Sequence, residues 1–166
     1  LWVASGSKVS KLLKGGGQEK GRRSGTENIY GIAGFGAAAK AVSNWKDHAK
    51  NWVQWRNNFI LKLQQVYPEI QVTTRGALCV DNTISLLLPA VPAQIAVISM
   101  DMEGFAISSG AACSSGKVQD SRVIKAMGFD TLSGHAIRIS FGWENNEDEI
   151  SALADALIAM YKRHKK

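Results

Sequence analysis

The stretch Ala136-Ile137-Arg138-Ile139-Ser140-Phe141-Gly142-Trp143-Glu144-Asn145-Asn146-Glu147-Asp148-Glu149-Ile150 holds two kinds of pattern side by side. Ala136–Phe141 alternates in the two-residue period of a strand with one face in a core. Beyond Gly142 the pattern changes. Asn145 or Asn146 is placed to cap a helix, and Glu147, Asp148 and Glu149 fill its first turn, where negative charge meets the positive end of the helix dipole. Ile150, Leu153, Leu157 and Met160 then recur as one apolar stripe. A strand and an amphipathic helix this close together need a core built from both.

The rest of the chain repeats the mixture. Ser121–Met127 reads as a short helix stopped by Gly128, Ser108–Lys117 as a flexible loop of Gly, Ser and Ala, and Phe105–Ile107 as a short strand. Ala93–Met102 reads as a helix ending at Gly104, a residue suited to a left-handed cap. Thr83–Leu88 and Ile70–Thr73 read as strands. Before them, Trp45, Trp52, Phe59, Leu63 and Val66 mark a long helix ending at Tyr67-Pro68. An aromatic stripe at helical spacing predicts core rather than a base-stacking surface. Ile29, Ile32, Ala33, Gly36, Ala37 and Ala41 mark another helix, with Ser24 and Glu27 at capping-box spacing before it. Leu1–Ala4 reads as a strand. Helices and strands are interspersed without a regular βαβ period, which predicts an α+β fold.

The composition excludes several classes of protein. Of 166 residues, 45% are hydrophobic and 20% charged, enough for a packed core and against global disorder. The net charge of +6 gathers in Lys8, Lys11, Lys14, Lys20, Arg22 and Arg23, and in the terminal Lys162–Lys166, where cations suit a helix end. No basic face with interleaved exposed aromatics emerges, so a nucleic-acid-binding module is the weaker reading and no nucleic-acid partner is expected. Two cysteines without CxxC or His/Cys spacing argue against a disulfide framework and a zinc or other metal site. Free thiols point to a reducing compartment, hence a cytoplasmic location. The longest apolar runs are too short to span a bilayer. Leu1-Trp2-Val3 reads as strand interior without a preceding Met, which suggests a cut or processed product.

Three places carry candidate chemistry. Ser24-Gly25-Thr26, beside Arg22 and Arg23, stands at a helix entry, where free N–H groups, a hydroxyl and the dipole suit a phosphate; the same residues also serve as a plain N-cap. Cys113 lies amid Ser108-Ser109-Gly110-Ala111-Ala112-Cys113-Ser114-Ser115-Gly116, small residues that cannot build a core around it and leave the loop free to swing. Cys79, between Leu78 and Val80, reads as structural. Arg138, between β-branched residues on a buried-looking strand, needs an anion, either a substrate carboxylate or a structural ion pair. No histidine stands out: His135 enters a strand, and His48 and His164 look solvated.

Taken in order, Gly15–Asn28, Ser108–Gly116 and Ile137–Gly142 resemble the cysteine desulfurase family of class V aminotransferase-like, pyridoxal-phosphate enzymes. The resemblance runs along the whole chain, with the chain as the C-terminal portion of the family's protein. It implies the small domain of a fold type I enzyme, long helices on a short, mostly antiparallel sheet. Residues 1–28 would end the large cofactor-binding domain, and 29–166 would form the small domain with the catalytic loop 108–117. Cys113 would take the sulfur of L-cysteine as a persulfide, leaving alanine, and pass it to an acceptor or scaffold protein, for instance in iron–sulfur cluster assembly. Arg138 would hold the substrate carboxylate, and Thr26 would touch the phosphate of pyridoxal 5'-phosphate across a homodimer. No Ser-x-His-Lys stretch carrying a Schiff-base lysine occurs in the chain; the resemblance puts it upstream of Leu1, so the fragment alone is expected to be inactive. A selenocysteine lyase or another class V enzyme is the alternative.

Overall fold

The computed structural model describes residues 2–42, 45–74, 76–110 and 120–165, with backbone alone at 45–48. The chain divides into two compact units, Leu1–Asn44 and Trp45–Lys166.

The second unit is built on a four-stranded antiparallel sheet of order β1-β2-β4-β3: β1 (Gln71–Val72), β2 (Thr83–Leu87), β4 (Ala136–Ser140) and β3 (Ser108–Ser109). The β2–β4 register sets Ile84 opposite Ile139 and Leu86 opposite Ile137. Opposite residues share a face, so these four side chains point together into the main core. Helices α3 (Trp45–Val66), α4 (Ala93–Met102) and α6 (Glu147–His164) supply its other half through Trp52, Phe59, Leu63, Ala96, Met100, Leu153, Leu157 and Met160. α3 packs on α6, as the helical spacing of the apolar residues requires. On the opposite face of the sheet, Leu87 and Ala136 meet Ile124 of the short helix α5 (Arg122–Ala126) in a second, smaller core. The predicted α+β class holds.

Local signals in this unit read true. Asn146 caps α6 in a capping box with Glu149, and its basic end closes with Lys162, Arg163 and His164. Ser121 caps α5 through the amide of Ile124, and Gly128 follows at φ +86°. Gly104, after α4, has φ +84°. One expectation fails. Phe105–Ile107 is not a strand; pairing with β4 falls instead on Ser108 and Ser109, placing the sheet edge within the expected flexible loop. Residues 111–117 of that loop lie outside the described residues.

In the first unit, Trp2–Ala4 form no strand and Trp2 is exposed. An isolated apolar segment without a partner strand has nothing to hydrogen-bond to. α1 (Gln18–Gly21) is a single turn in which Glu19 and Lys20 take φ of +54° and +57°, a left-handed geometry costing about 1–2 kcal/mol per residue. α2 (Ile29–Ala41) forms as the spacing predicts, but Ser24 and Glu27 do not cap it. Asn28 does, its side chain accepting from the amide of Gly31 at 2.9 Å. Ser24 turns inward and donates to the carbonyl of Gly16 at 2.8 Å. No residue of α2 is buried; Tyr30 is 93% and Phe35 79% exposed, with Ile29 and Ile32 also exposed.

Replacing Leu157, which is 2% exposed, by Ala should cost about 2–5 kcal/mol in denaturant unfolding, and Asn146→Ala about 1 kcal/mol through the lost cap. An unaltered midpoint for Leu157→Ala would refute the described core. The bare apolar surface of α2 should make the isolated chain self-associate, checked by light scattering; a clean monomer at high concentration would show that the helix is tolerated in water.

Candidate functional site

β4 lies between β2 and β3, so its period decides what stands in the middle of the sheet. Ile137 and Ile139 face the main core, and Arg138 faces the other way. The expectation of a buried arginine is therefore corrected: Arg138 is exposed on the face opposite α3, α4 and α6. Its β-branched neighbours are buried and it is not, because alternate residues of a strand point to opposite sides. Nη2 of Arg138 donates to Ser108 Oγ at 3.5 Å. Among the described residues it has no ion pair, so the structural-pair alternative finds no support there.

The segment carrying Cys113 leaves and returns beside Arg138. Gly110 follows Ser109 and donates its amide to the carbonyl of Ala136 at 2.7 Å. Ser121, which is 5% exposed, donates its amide to the carbonyl of Ser133 at 3.0 Å. The two feet touch: a Cβ on Gly110 would lie 3.3 Å from that of Ser121, tighter than ordinary side-chain contact, so glycine suits this close approach. Next to Ser121, Asp120 pairs with Lys125 at 2.8 Å, and the hydrogen bond from Lys125, followed by its charge, holds the carboxyl below the usual aspartate range. Cys113 itself lies outside the described residues.

Thr26 stands two residues before the cap of α2 rather than at the first turn, and it is exposed. Its hydroxyl has no hydrogen-bond partner among the described residues. Arg23 is turned inward, donating to the carbonyls of Ser24, Gly25 and Thr26 and lying 3.7 Å from Glu19. Its work is to stiffen the turn in which Gly25 takes φ +94°. Arg22 stays exposed. The Thr26 hydroxyl and the exposed guanidinium of Arg22, four residues earlier in the chain, are donors of the kind that suit phosphate oxygens, so the residue types present fit a phosphorylated cofactor.

Cys79 also departs from expectation. It is an exposed free thiol, with the Arg56 guanidinium 3.2 Å from its sulfur and 3.4 Å from Asp81. The apolar neighbours in sequence, Leu78 and Val80, are themselves exposed, so no pocket of core forms around the thiol. Sequence reading missed Arg56, whose partners lie 23 to 25 residues away along the chain. His135 serves the fold: its Nδ1 lies 3.0 Å from the carbonyl of Leu88. Among the described residues no cluster of His, Cys, Asp and Glu fits a metal, and no helix is long and apolar enough to cross a membrane.

A family model described as "Aminotransferase class-V" matches residues 5–153. "Cysteine desulfurase IscS 1" of Archaeoglobus fulgidus is 32% identical across 98% of the chain, and "Cysteine desulfurase" of Klebsiella pneumoniae 34% identical across 95%. The chain spans 43% and 40% of those two proteins, about two fifths of their length. Among solved structures, a "NIFS-LIKE PROTEIN" superposes over 98% of the chain with a TM-score of 0.81 at 26% identity, the match spanning 41% of that structure. A NifS-like protein from Rickettsia africae superposes over 94% with a TM-score of 0.77 at 28% identity, again spanning 41%.

The exposure of Cys79 has a direct check. In a Cys113→Ser variant of the folded chain, a thiol reagent should label one site, Cys79, without denaturant. Protection of that thiol until unfolding would restore the structural reading.

Proposed function

The chain belongs to the class-V aminotransferase family, and on that premise we propose that it is the C-terminal part of a cysteine desulfurase, which converts L-cysteine to L-alanine and hands on the sulfur as a persulfide. The observation that carries the proposal is Arg138: an exposed guanidinium without an ion pair among the described residues, on the strand to which one foot of the segment bearing Cys113 is hydrogen-bonded.

Each residue then has a defined task. Arg138 binds the α-carboxylate of cysteine through parallel N–H groups, a geometry that fixes orientation as well as adding energy. Cys113 is three residues from Gly110, a length of chain that reaches at most about 10 Å. Its thiolate attacks the substrate sulfur: the S–S bond forms as the substrate C–S bond breaks. The carbon keeps that electron pair and takes a proton to become the methyl of alanine, while the sulfur stays as a persulfide on Cys113. One thiol is consumed, one persulfide forms, and no outside oxidant enters. Pyridoxal 5'-phosphate, when bound, supplies the electron sink for this chemistry. Thr26, with Arg22 nearby, would hold its phosphate across a homodimer.

The reading extends to the whole protein. Residues 1–28 belong with a large cofactor-binding domain and 29–166 with a small domain carrying the loop 108–117. The Schiff-base lysine lies in the part of the protein outside this chain, so the fragment alone is inactive. The enzyme works in the cytoplasm and gives its sulfur to an acceptor or scaffold protein, with iron–sulfur cluster assembly as the destination. The name IscS on the relatives supports that last step.

In the full-length enzyme, Cys113→Ser should abolish alanine formation and persulfide while cysteine still binds, because a serine hydroxyl is hardly ionised near neutrality and cannot carry the sulfur. Alanine at the parent rate, or a persulfide found on Cys79 by mass spectrometry, would overturn the assignment. Arg138→Ala should raise KM for cysteine about tenfold to a hundredfold, the worth of a charged hydrogen bond.

A further inference from the structure

The surroundings of Arg138 are as informative as its exposure. The register sets Ser85 of β2 and Ser108 of β3 directly opposite it on either side. Ser140 is its next same-face neighbour along β4, and the Ser140 hydroxyl lies 3.3 Å from that of Thr83. The arginine thus stands among short hydroxyl side chains. No carboxylate among the described residues competes for it.

Of these hydroxyls, Ser108 is the one bonded to it, at 3.5 Å from Nη2. The contact is long, but the cross-strand register holds the two residues opposite one another whatever their rotamers. A free arginine side chain has several rotatable bonds and loses rotamer entropy on being fixed. Recognising a carboxylate bidentately needs one edge of the planar fork presented squarely. A partner that takes one N–H of Nη2 limits rotation of the plane and leaves the remaining donors for an anion.

We propose that Ser108 is a positioning residue: its hydroxyl accepts from Nη2 of Arg138 and orients the guanidinium toward the α-carboxylate of the substrate. The proposal rests on the reading of Arg138 as the carboxylate site. Ser85 flanks the same guanidinium without a hydrogen bond to it among the described residues, which makes it the internal control.

The test is steady-state kinetics with L-cysteine on the full-length holoenzyme, comparing Ser108→Ala, Ser108→Thr, Ser85→Ala, Arg138→Ala and the double variant Ser108→Ala/Arg138→Ala. Ser108→Ala should raise KM about three- to tenfold with kcat at saturation nearly unchanged, the size of effect one hydrogen bond provides. Ser108→Thr, which keeps the hydroxyl and suits a strand, should restore the parent KM. Ser85→Ala should match the parent. On the Arg138→Ala background, Ser108→Ala should add nothing, since a residue acting through another is not additive with it. A fall in kcat at constant KM, additive effects in the double variant, or an equal effect from Ser85→Ala overturns the positioning role. If Arg138→Ala raises KM while Ser108→Ala does not, this inference alone fails. If Arg138→Ala leaves KM unchanged, the carboxylate reading fails and takes the inference with it.

Discussion

The two-residue period of β4 is the constraint from which the second unit follows. Hydrogen-bonded on both sides, this strand cannot turn about its axis without breaking both ladders. Ile137 and Ile139 lie under α3, α4 and α6 in the main core. That burial commits Arg138 to the other face, because a shift of one residue would carry the guanidinium into the core and the isoleucines out of it. The register against Ser85 and Ser108 is the same fact seen across the sheet. Core packing and site geometry are thus not separate achievements of the fold.

Around that strand, the smaller core of Leu87, Ala136 and Ile124 anchors α5, and Ser121 at the start of α5 meets Gly110 at the end of β3. The two feet of the segment carrying Cys113 are therefore held by backbone hydrogen bonds to Ala136 and Ser133. Under the proposed function, a thiol between fixed feet would have to approach a substrate and then offer its sulfur elsewhere, which the small residues of Ser108–Gly116 suit by composition.

The first unit poses a different problem. α2 has Lys40 as its only charged residue and no buried one, and a helix apolar all round belongs inside a larger structure. The chain spans about two fifths of the relatives it matches, and the surface of α2 accords with a piece of such a larger whole. The second unit, by contrast, closes a core of its own from residues within the chain.

Much was readable from sequence where the physics is local. The cap at Asn145 or Asn146 with its acidic first turn, the stripe Ile150–Leu153–Leu157–Met160 and the glycine stops after α4 and α5 depend on neighbours within a few residues, and the structure agrees with all of them, Asn146 taking the cap. Cys113 and Arg138 were singled out by residue type and setting, and Thr26 by the family resemblance, as candidates. What the sequence could not show was decided by contacts between distant segments. Cys79 looked structural because its neighbours are apolar, yet it is exposed and Arg56 comes to it from α3. Ser24 had the spacing of a cap, but the carbonyl of Gly16 draws its hydroxyl inward and Asn28 takes the role. Phe105–Ile107 had the composition of a strand, but the β4 register extends pairing to Ser108 and Ser109. The side to which Arg138 points, and the serines that flank it, exist only once three strands are aligned, since alternation along one strand distinguishes its two faces without saying which of them meets the helices.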